Sequence, residues 1–174
     1  REAVIVHEIV IRPLAPSDVD AVVGIAVAAW QPIFARYRQM MGDELFMLAH
    51  PDWQQGKARW VREACAPGSS AIVAVAEVPQ NNGQAAIVVG FCICCARPAL
   101  GIGEIGNNAV HPDWQRRGIA TRLYQYVFEQ LRDRGMRYVQ VRAGGGRAHA
   151  PARRAYQKAG FDVAMPEVRY YRKL

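Results

Sequence analysis

The chain has 174 residues, of which 51% are hydrophobic and 21% charged, a composition typical of one soluble globular domain over residues 1–174. Its 22 basic and 15 acidic residues give a net charge of +7, which favours a polyanionic partner, either a nucleic acid or a phosphorylated cofactor. The longest apolar run, residues 85–96, is too short to span a bilayer, and the first residues lack a signal-peptide pattern. We therefore expect a cytoplasmic protein without a membrane partner.

The first third of the sequence predicts one strand followed by helices. Residues 7–12 have the composition of a strand. Ser17 is a candidate N-cap and Asp20 a candidate capping-box acid, so we expect a helix to start there and to be interrupted at Pro32. Residues 33–65 are helical but broken, and they form the most aromatic part of the chain. Packing in a core explains these aromatic residues, and a wall of a substrate pocket explains them as well.

The rest of the chain alternates between strands and helices. Strands are predicted at 71–78, 85–96, 104–110, 138–142, 161–164 and 168–173, and helices at 118–134 and 151–159. The first two of these strands are joined by a hairpin with an Asn-Gly turn signal, and the last two form a closing hairpin. A helix connects the third strand to the fourth, which predicts that these two strands are parallel. The expected fold class is a mixed, twisted α/β sheet.

The segment from Val110 to Ala120 predicts an anion-binding site. It contains the end of a strand, a loop with Arg116 and Arg117, and the first turn of the helix that begins at Gly118. The N–H groups of a first helical turn have no partners within the helix and carry a partial positive charge. Glycine allows a ligand to approach the backbone, so the site suits a pyrophosphate. The alternative is an ordinary strand–loop–helix turn with solvated arginines.

Other motifs do not predict a nucleotide or metal site. Gly101–Gly106 matches G-x-G-x-x-G, but this segment opens a strand and not a helix, and Gly144–Gly146 lacks the Lys-Ser/Thr of a P-loop. Three of the four cysteines crowd one apolar segment without paired spacing, so we expect buried, reduced thiols and no metal. The cysteines are Cys65, Cys92, Cys94 and Cys95.

Two segments resemble motifs of the GNAT superfamily of N-acyltransferases. Residues 115–120, Gln-Arg-Arg-Gly-Ile-Ala, resemble its Gln/Arg-x-x-Gly-x-Gly/Ala loop. Residues 149–161 resemble its Asn-x-x-Ala-x-x-x-Tyr-x-x-x-Gly-Phe segment, with matches at Ala152, Tyr156, Gly160 and Phe161. His149 replaces the usual Asn, and we interpret it as a loop histidine. The spacing matches the family, and the resemblance covers nearly the whole chain. It implies a GNAT fold, with six to seven strands, about four helices and a splayed parallel strand pair at the acetyl-CoA site.

The resemblance also implies a function and its residues. The function is that of an acetyl-CoA-dependent N-acetyltransferase, in which a primary amine attacks the thioester directly. Glu104 is implied as the general base, directly or through water, and Tyr156 as the acid that protonates the leaving thiolate. We expect the side chains of Glu104 and Val110, six residues apart, to share one face of their strand. Contacts with acetyl-CoA are implied for Asn108, Ala109, Val110, Gln115, Arg116, Arg117, Gly118, Ile119, Ala120 and Thr121.

Other functions remain open at this point. A non-catalytic acyl-CoA-binding or sensor protein would carry the same motifs. A basic nucleic-acid-binding module is the alternative from another class, but no motif supports it, so we expect no nucleic-acid partner. The amine acceptor is open among small amines, amino acids, polyamines, antibiotics and a protein N-terminus or lysine. Residues 30–65 and the final hairpin are expected to shape its site, and a homodimer is compatible with the sequence but not fixed by it.

Overall fold

Five strands form one mixed sheet whose spatial order follows the chain. The computed structural model describes residues 8–80 and 84–174. The strands are β1 Val10–Pro13, β2 Ile72–Val78, β3 Ile87–Arg97, β4 Ile102–Val110 and β5 Tyr138–Val141. Neighbours from β1 to β4 pair antiparallel, whereas β4 and β5 pair in parallel. This parallel pair confirms the crossover predicted from the sequence.

Helices cover both faces of this sheet. They are α1 Val19–Met41, α2 Asp43–Ala49, α3 Trp53–Ala64, α4 Ile119–Asp133 and α5 Ala150–Lys158. On one face, Val22 of α1 and Val61 of α3 pack against Phe91 of the sheet. On the other face, Leu123 of α4 and Cys92 belong to a second buried cluster, which also includes Tyr156 of α5. The sheet therefore has two separate cores, one on each face.

The start of α1 differs from the prediction. No side chain caps this helix, so Ser17 is not its N-cap, and Asp20 forms an ion pair with Arg62 of α3 and not a capping box. The buried carboxylate of Asp18 accepts hydrogen bonds from the Ala15 N–H and from the guanidinium of Arg12, at 2.7 Å each. A tertiary ion pair to β1 therefore fixes the start of α1, in place of a local cap.

The predicted interruption at Pro32 is also wrong, because α1 continues through this residue to Met41. Packing of α2 and α3 against α1 stabilises a helix that the proline alone would have broken. Among the described residues, Pro16–Met41 is the one helical stretch long and apolar enough to cross a membrane by those two criteria alone. Val22 and Ala26 of this helix are fully buried against the sheet, as in the core helix of a globular domain.

The sheet has five strands and not six to seven because the predicted closing hairpin is absent. Residues 161–174 contain no strand, and beyond Phe161 their large apolar side chains face solvent, with Val163 84% and Met165 86% exposed. Lys173 forms an ion pair with Glu44 of α2 at 3.0 Å, so the tail reaches α2. The Asn-Gly turn predicted between β2 and β3 lies at residues 81–83, outside the described residues.

A β-bulge in β4 changes which side chains share a face. Ile93 is opposite Asn107 and Cys94 is opposite Ile105, so Gly106 is an extra residue without a partner. The bulge shifts the alternation by one residue, so Glu104 and Val110 point to opposite faces of the sheet. The expectation that they share one face is wrong for this reason.

Candidate functional site

A cavity opens where β4 and β5 separate. Their pairing ends at Ile105 and Val141, whereas β4 continues to Val110. The space beyond this point is a cavity of about 710 Å³ lined by residues of α1, β4, α4 and α5. Small-molecule sites commonly have volumes of roughly 300–1,000 Å³. The splayed strand pair expected from the sequence is therefore present, and it encloses space for a ligand.

The N-terminus of α4 opens into this cavity. Gly118 precedes the helix in the left-handed conformation, with φ +76°, and no side chain caps the first turn. A Cβ atom at Gly118 would meet no atom within 4 Å, so the space in front of the amides is clear. Arg116 also has a positive φ of 63°. The unpaired amides of the first turn are therefore available to a phosphate group.

The structure brings most of the predicted cofactor-binding residues together. Nine of the ten line this cavity: Asn108, Ala109, Val110, Gln115, Arg116, Gly118, Ile119, Ala120 and Thr121. Arg117 does not line it, since its guanidinium lies 4.6 Å from the centroid of the Trp114 ring and donates to the carbonyl of Asp113. Gln115 donates from Nε2 to the carbonyl of Val110 at 3.1 Å, which ties the loop to the end of β4.

Tyr156 lies in a buried hydrogen-bond network at the centre of the cavity. Its hydroxyl oxygen accepts from Nδ2 of Asn108 at 3.1 Å, and the Tyr124 hydroxyl donates to Oδ1 of the same asparagine at 2.7 Å. Burial raises the pKa of both tyrosines, and for Tyr156 the hydrogen bond from Asn108 opposes that rise. Burial therefore favours the neutral form of Tyr156, whose side chain lines the cavity.

Glu104 lies outside the lining of the cavity. Its carboxylate forms an ion pair with Arg97, the last residue of β3. Ile105, the next residue of β4, is the first residue of this strand that lines the cavity. Its role as general base stays a prediction.

The end of the cavity away from α4 is formed by side chains that sequence motifs did not identify. Trp30 of α1 donates from Nε1 to Oδ1 of Asn107 at 3.2 Å. Asn107 is 1% exposed, and its Nδ2 has no hydrogen-bond partner among the described residues. His149, which we expected to be a loop histidine, is 7% exposed and lies between the rings of Trp30 and Tyr37. Burial lowers the pKa of His149, with a smaller contribution from Arg153.

A lysine and further aromatic rings support this end. Lys57 of α3 places Nζ 3.5 Å from the centroid of the Trp30 ring, and burial lowers the pKa of Lys57 to about 8. The ring of Phe34 stacks on the ring of Trp53, with 4.2 Å between the two ring centroids. Ile33 is the one residue of 33–65 that lines the cavity, so the aromatic rings of this segment pack behind the cavity wall, and Trp30, which does line it, precedes the segment. No pattern in the sequence indicated that Asn107 or Lys57 lies in this region.

The cysteines take no part in the cavity. Cys92 and Cys94 are buried, and desolvation raises the pKa of Cys94 to about 12. Cys95 is exposed, so the expectation of buried thiols is wrong at this position, because strand alternation places Cys95 opposite Glu104, on the other face of the sheet from the buried Cys94. No group of three or more His, Cys, Asp or Glu residues that could hold a metal occurs in the described part of the chain.

The model of the acetyltransferase (GNAT) family matches residues 30–161 of this chain. The [ribosomal protein bS18]-alanine N-acetyltransferase of Escherichia coli K12 is 29% identical over 97 residues, which cover 55% of this chain and 59% of that protein. This chain therefore matches less than two thirds of that relative's length.

Solved structures share the fold at low sequence identity. A GNAT-family acetyltransferase from Desulfovibrio desulfuricans superposes with a TM-score of 0.66 and 22% identity, covering 91% of this chain and 87% of its own. The aminoglycoside N-acetyltransferase AAC(6')-Iy in complex with CoA superposes with a TM-score of 0.64 and 17% identity, covering 96% and 95%. The family match, the splayed strand pair and the open helix terminus agree, and the chain belongs to the acetyltransferase (GNAT) family.

Proposed function

We propose that this protein is an acetyl-CoA-dependent N-acetyltransferase that acetylates a primary amine by direct attack. The observation that carries the proposal is the continuity of one cavity from the uncapped N-terminus of α4 to the hydroxyl of Tyr156. A helix terminus with free amides suits the pyrophosphate of CoA, and a neutral tyrosine suits a leaving thiolate. Membership in the GNAT family supports acetyl-CoA as the cosubstrate.

Different groups of residues bind the donor and act on the thioester. The loop and first turn from Gln115 to Thr121 hold the diphosphate, and the free edge of β4 beyond Ile105 lies beside the pantetheine arm. Backbone N–H groups near Asn108 to Val110 polarise the thioester carbonyl. The amine nitrogen forms a bond with the acetyl carbon, the carbon–sulfur bond breaks, and Tyr156 gives its proton to the sulfur.

Removal of the proton from the amine is assigned to Glu104 acting through water. Glu104 is on the strand that borders the cavity, and its side chain is 18% exposed beside Arg97. An ammonium group with a pKa of about 10 is not a nucleophile, so a proton acceptor accelerates the reaction. The acceptor is proposed to be a small-molecule or peptide amine. A homodimer also stays a proposal, and light scattering of the purified protein tests it.

Two measurements test the function. Calorimetry with CoA reports the affinity of the donor site, and release of free thiol from acetyl-CoA reports turnover across a panel of primary amines. We expect CoA binding and acceptor-dependent thiol release. CoA binding without turnover of any amine would favour the non-catalytic acyl-CoA sensor, and absence of CoA binding would contradict both functions.

A further inference from the structure

The charged side chains that line the cavity are all basic. They are Arg116, Arg142, Arg154 and Lys158, and no aspartate or glutamate lines the cavity among residues 8–80 and 84–174. Basic groups suit the phosphates of the donor. They provide no countercharge for an acceptor with several ammonium groups, which a cavity with this lining repels.

Four carboxylates on β4, α1 and α2 are already paired. Glu104 of β4 forms an ion pair with Arg97, and Asp20 of α1 forms one with Arg62. On α2, Asp43 forms an ion pair with Arg38, and Glu44 forms one with Lys173. These acids are therefore neutralised by the protein itself.

The aromatic face that a cationic acceptor would use is also occupied. An indole ring attracts ammonium groups over its face. Lys57 already holds this position on Trp30, with Nζ 3.5 Å from the ring centroid. A second cation at this ring would meet a like charge, so Trp30 offers packing area to the acceptor and little attraction for a cation.

Asn107 provides a hydrogen-bond donor without an acceptor. Because Trp30 donates to Oδ1, the amide orientation is fixed and Nδ2 must be the free group. This nitrogen is buried and has no partner in the described part of the chain. An unpaired buried donor is costly, and a small shift of the neighbouring side chains would expose Nδ2 to a carbonyl oxygen of a ligand, which would satisfy it.

An amine beside a carbonyl group also suits a cavity without carboxylates. The pKa of the α-amino group at a peptide N-terminus is about 7.7–8.0 and that of a lysine side chain about 10.4, so at pH 7.5 the neutral fraction is roughly 200-fold larger for the α-amino group. A basic environment disfavours the ammonium form further. An α-amino group therefore reaches its nucleophilic form in this cavity far more often than an alkylamine does.

We propose that the acceptor is an α-amino group next to a carbonyl oxygen, from a free amino acid or a peptide N-terminus, and not an amine of a polycation or a lysine side chain. This inference rests on the proposed acetyltransferase function. The α-nitrogen forms the new amide bond with the acetyl carbon, the carbon–sulfur bond breaks, and the sulfur leaves as the thiol of CoA. Asn107 holds the acceptor's carbonyl oxygen, and Trp30 packs against its side chain.

An internal competition tests the proposal. Synthetic peptides with a free N-terminus and one internal lysine, with alanine or phenylalanine as the first residue, are incubated with the protein and acetyl-CoA at pH 7.5. Tandem mass spectrometry then locates the acetyl group. We expect at least tenfold more acetylation at the α-amino group than at the lysine, after subtraction of the reaction without protein. Equal or greater acetylation of the lysine overturns the inference.

A series of small acceptors separates the two sources of the α-amino group. Phenylalanine, phenylalaninamide and phenethylamine differ only in the group beside the amine, and spermidine represents a polycation. Preference for phenylalanine indicates a free amino acid, whereas preference for phenylalaninamide or the peptides indicates a peptide N-terminus. Higher kcat/KM for phenethylamine or spermidine overturns the inference but leaves the acetyltransferase intact. Absence of transfer to every acceptor, with CoA bound, overturns the acetyltransferase function itself.

Two variants connect the preference to the residues. Asn107→Asp keeps the acceptor for Trp30 but removes the free donor and adds a negative charge, so we expect at least a tenfold loss of preference for phenylalaninamide over phenethylamine. Lys57→Met removes the cation on Trp30 and should raise kcat/KM for phenethylamine several-fold. Arg59→Met, an exposed change on the same helix, is the control and should change neither value. Unchanged preference in both variants, with CoA affinity retained, contradicts the proposal.

Discussion

The two ends of the cavity are built in different ways. At the α4 end, backbone amides and a glycine with φ +76° provide the binding groups, and consecutive residues supply them. At the α1 end, side chains from distant segments provide them, as in the bond between Trp30 and Asn107, 77 residues apart. The α4 end is therefore built from one local segment, whereas the α1 end is assembled by the tertiary fold.

The largest effect is expected from breaking the donor end at Gly118. Gly118→Asp places a strained residue with a negative charge in front of the open amides, so the Kd for CoA should rise at least about 100-fold. Calorimetry measures the affinity, and circular dichroism verifies folding. Gly135→Asp is the matched control, because Gly135 has the same φ of +76° after the other end of α4. An unchanged Kd for Gly118→Asp would remove the phosphate site from this helix.

Tyr156→Phe tests the point where the two ends meet. If the hydroxyl protonates the thiolate, kcat should fall about 100-fold, in the range of general acid catalysis, with less than a threefold change in Kd for CoA. Steady-state kinetics and calorimetry on the same preparation separate the two quantities. Tyr126→Phe, on α4 and outside the cavity lining, is the control. Wild-type kcat in Tyr156→Phe would exclude the tyrosine from the chemistry.

Glu104→Gln tests whether Glu104 accepts a proton or only forms an ion pair with Arg97. Both Glu104→Gln and Arg97→Gln break the same pair, but only the first removes a proton acceptor. We expect kcat at neutral pH to fall about tenfold more in Glu104→Gln than in Arg97→Gln. Equal effects in the two variants would assign the pair a structural role only.

Tyr124→Phe tests the hydrogen-bond network around Tyr156, and we expect a smaller effect on kcat. It removes the 2.7 Å hydrogen bond to Asn108 and should cost about 1 kcal/mol of unfolding free energy. Burial raises the pKa of Tyr156, while the hydrogen bond from Asn108 and the nearby Tyr124 hydroxyl oppose the rise. The variant should therefore move the alkaline loss of kcat to higher pH, with kcat reduced a few-fold. A pH profile identical to that of the wild type would show that Tyr124 does not position the acid.

The smallest effect concerns stability at the acceptor end. Burial lowers the pKa of His149 below that of the unfolded chain, so the unfolded state binds a proton more readily. Stability should be full above the unfolded pKa of about 6.5 and fall as pH drops from there towards the folded pKa. In His149→Gln the Tm should decrease less between pH 7.5 and 5.5, by about 2–4 °C. His111→Gln, at a half-exposed loop histidine, should keep the wild-type slope.

The sequence could predict the donor end because its determinants are local. The parallel crossover, α4, α5 and the loop before Gly118 follow from periodicity and turn residues that lie within one segment. The bulge at Gly106 could not be predicted, since it depends on the register of β4 against β3. The continuation of α1 through Pro32 depends on packing against α2 and α3, which outweighs a local propensity.

The prediction of a closing hairpin is wrong for a related reason. Its residues have strand-like composition, but a strand also needs an edge to pair with, and the tail instead reaches α2 through Lys173. Trp30, His149 and Asn107 converge only after the chain folds, so no spacing rule would have grouped them.

The alternation of β4 places two adjacent asparagines on opposite faces of the sheet. Asn107 points to the α1 side and bonds to Trp30, whereas Asn108 points to the α4 side and bonds to both tyrosines. In the proposed function, one short stretch of strand thus lies between the residues that contact the amine and the residues that act on the thiol. Substitutions on the α1 side can therefore diversify the range of amines in descendants of this protein while the machinery that handles the thiol stays as it is.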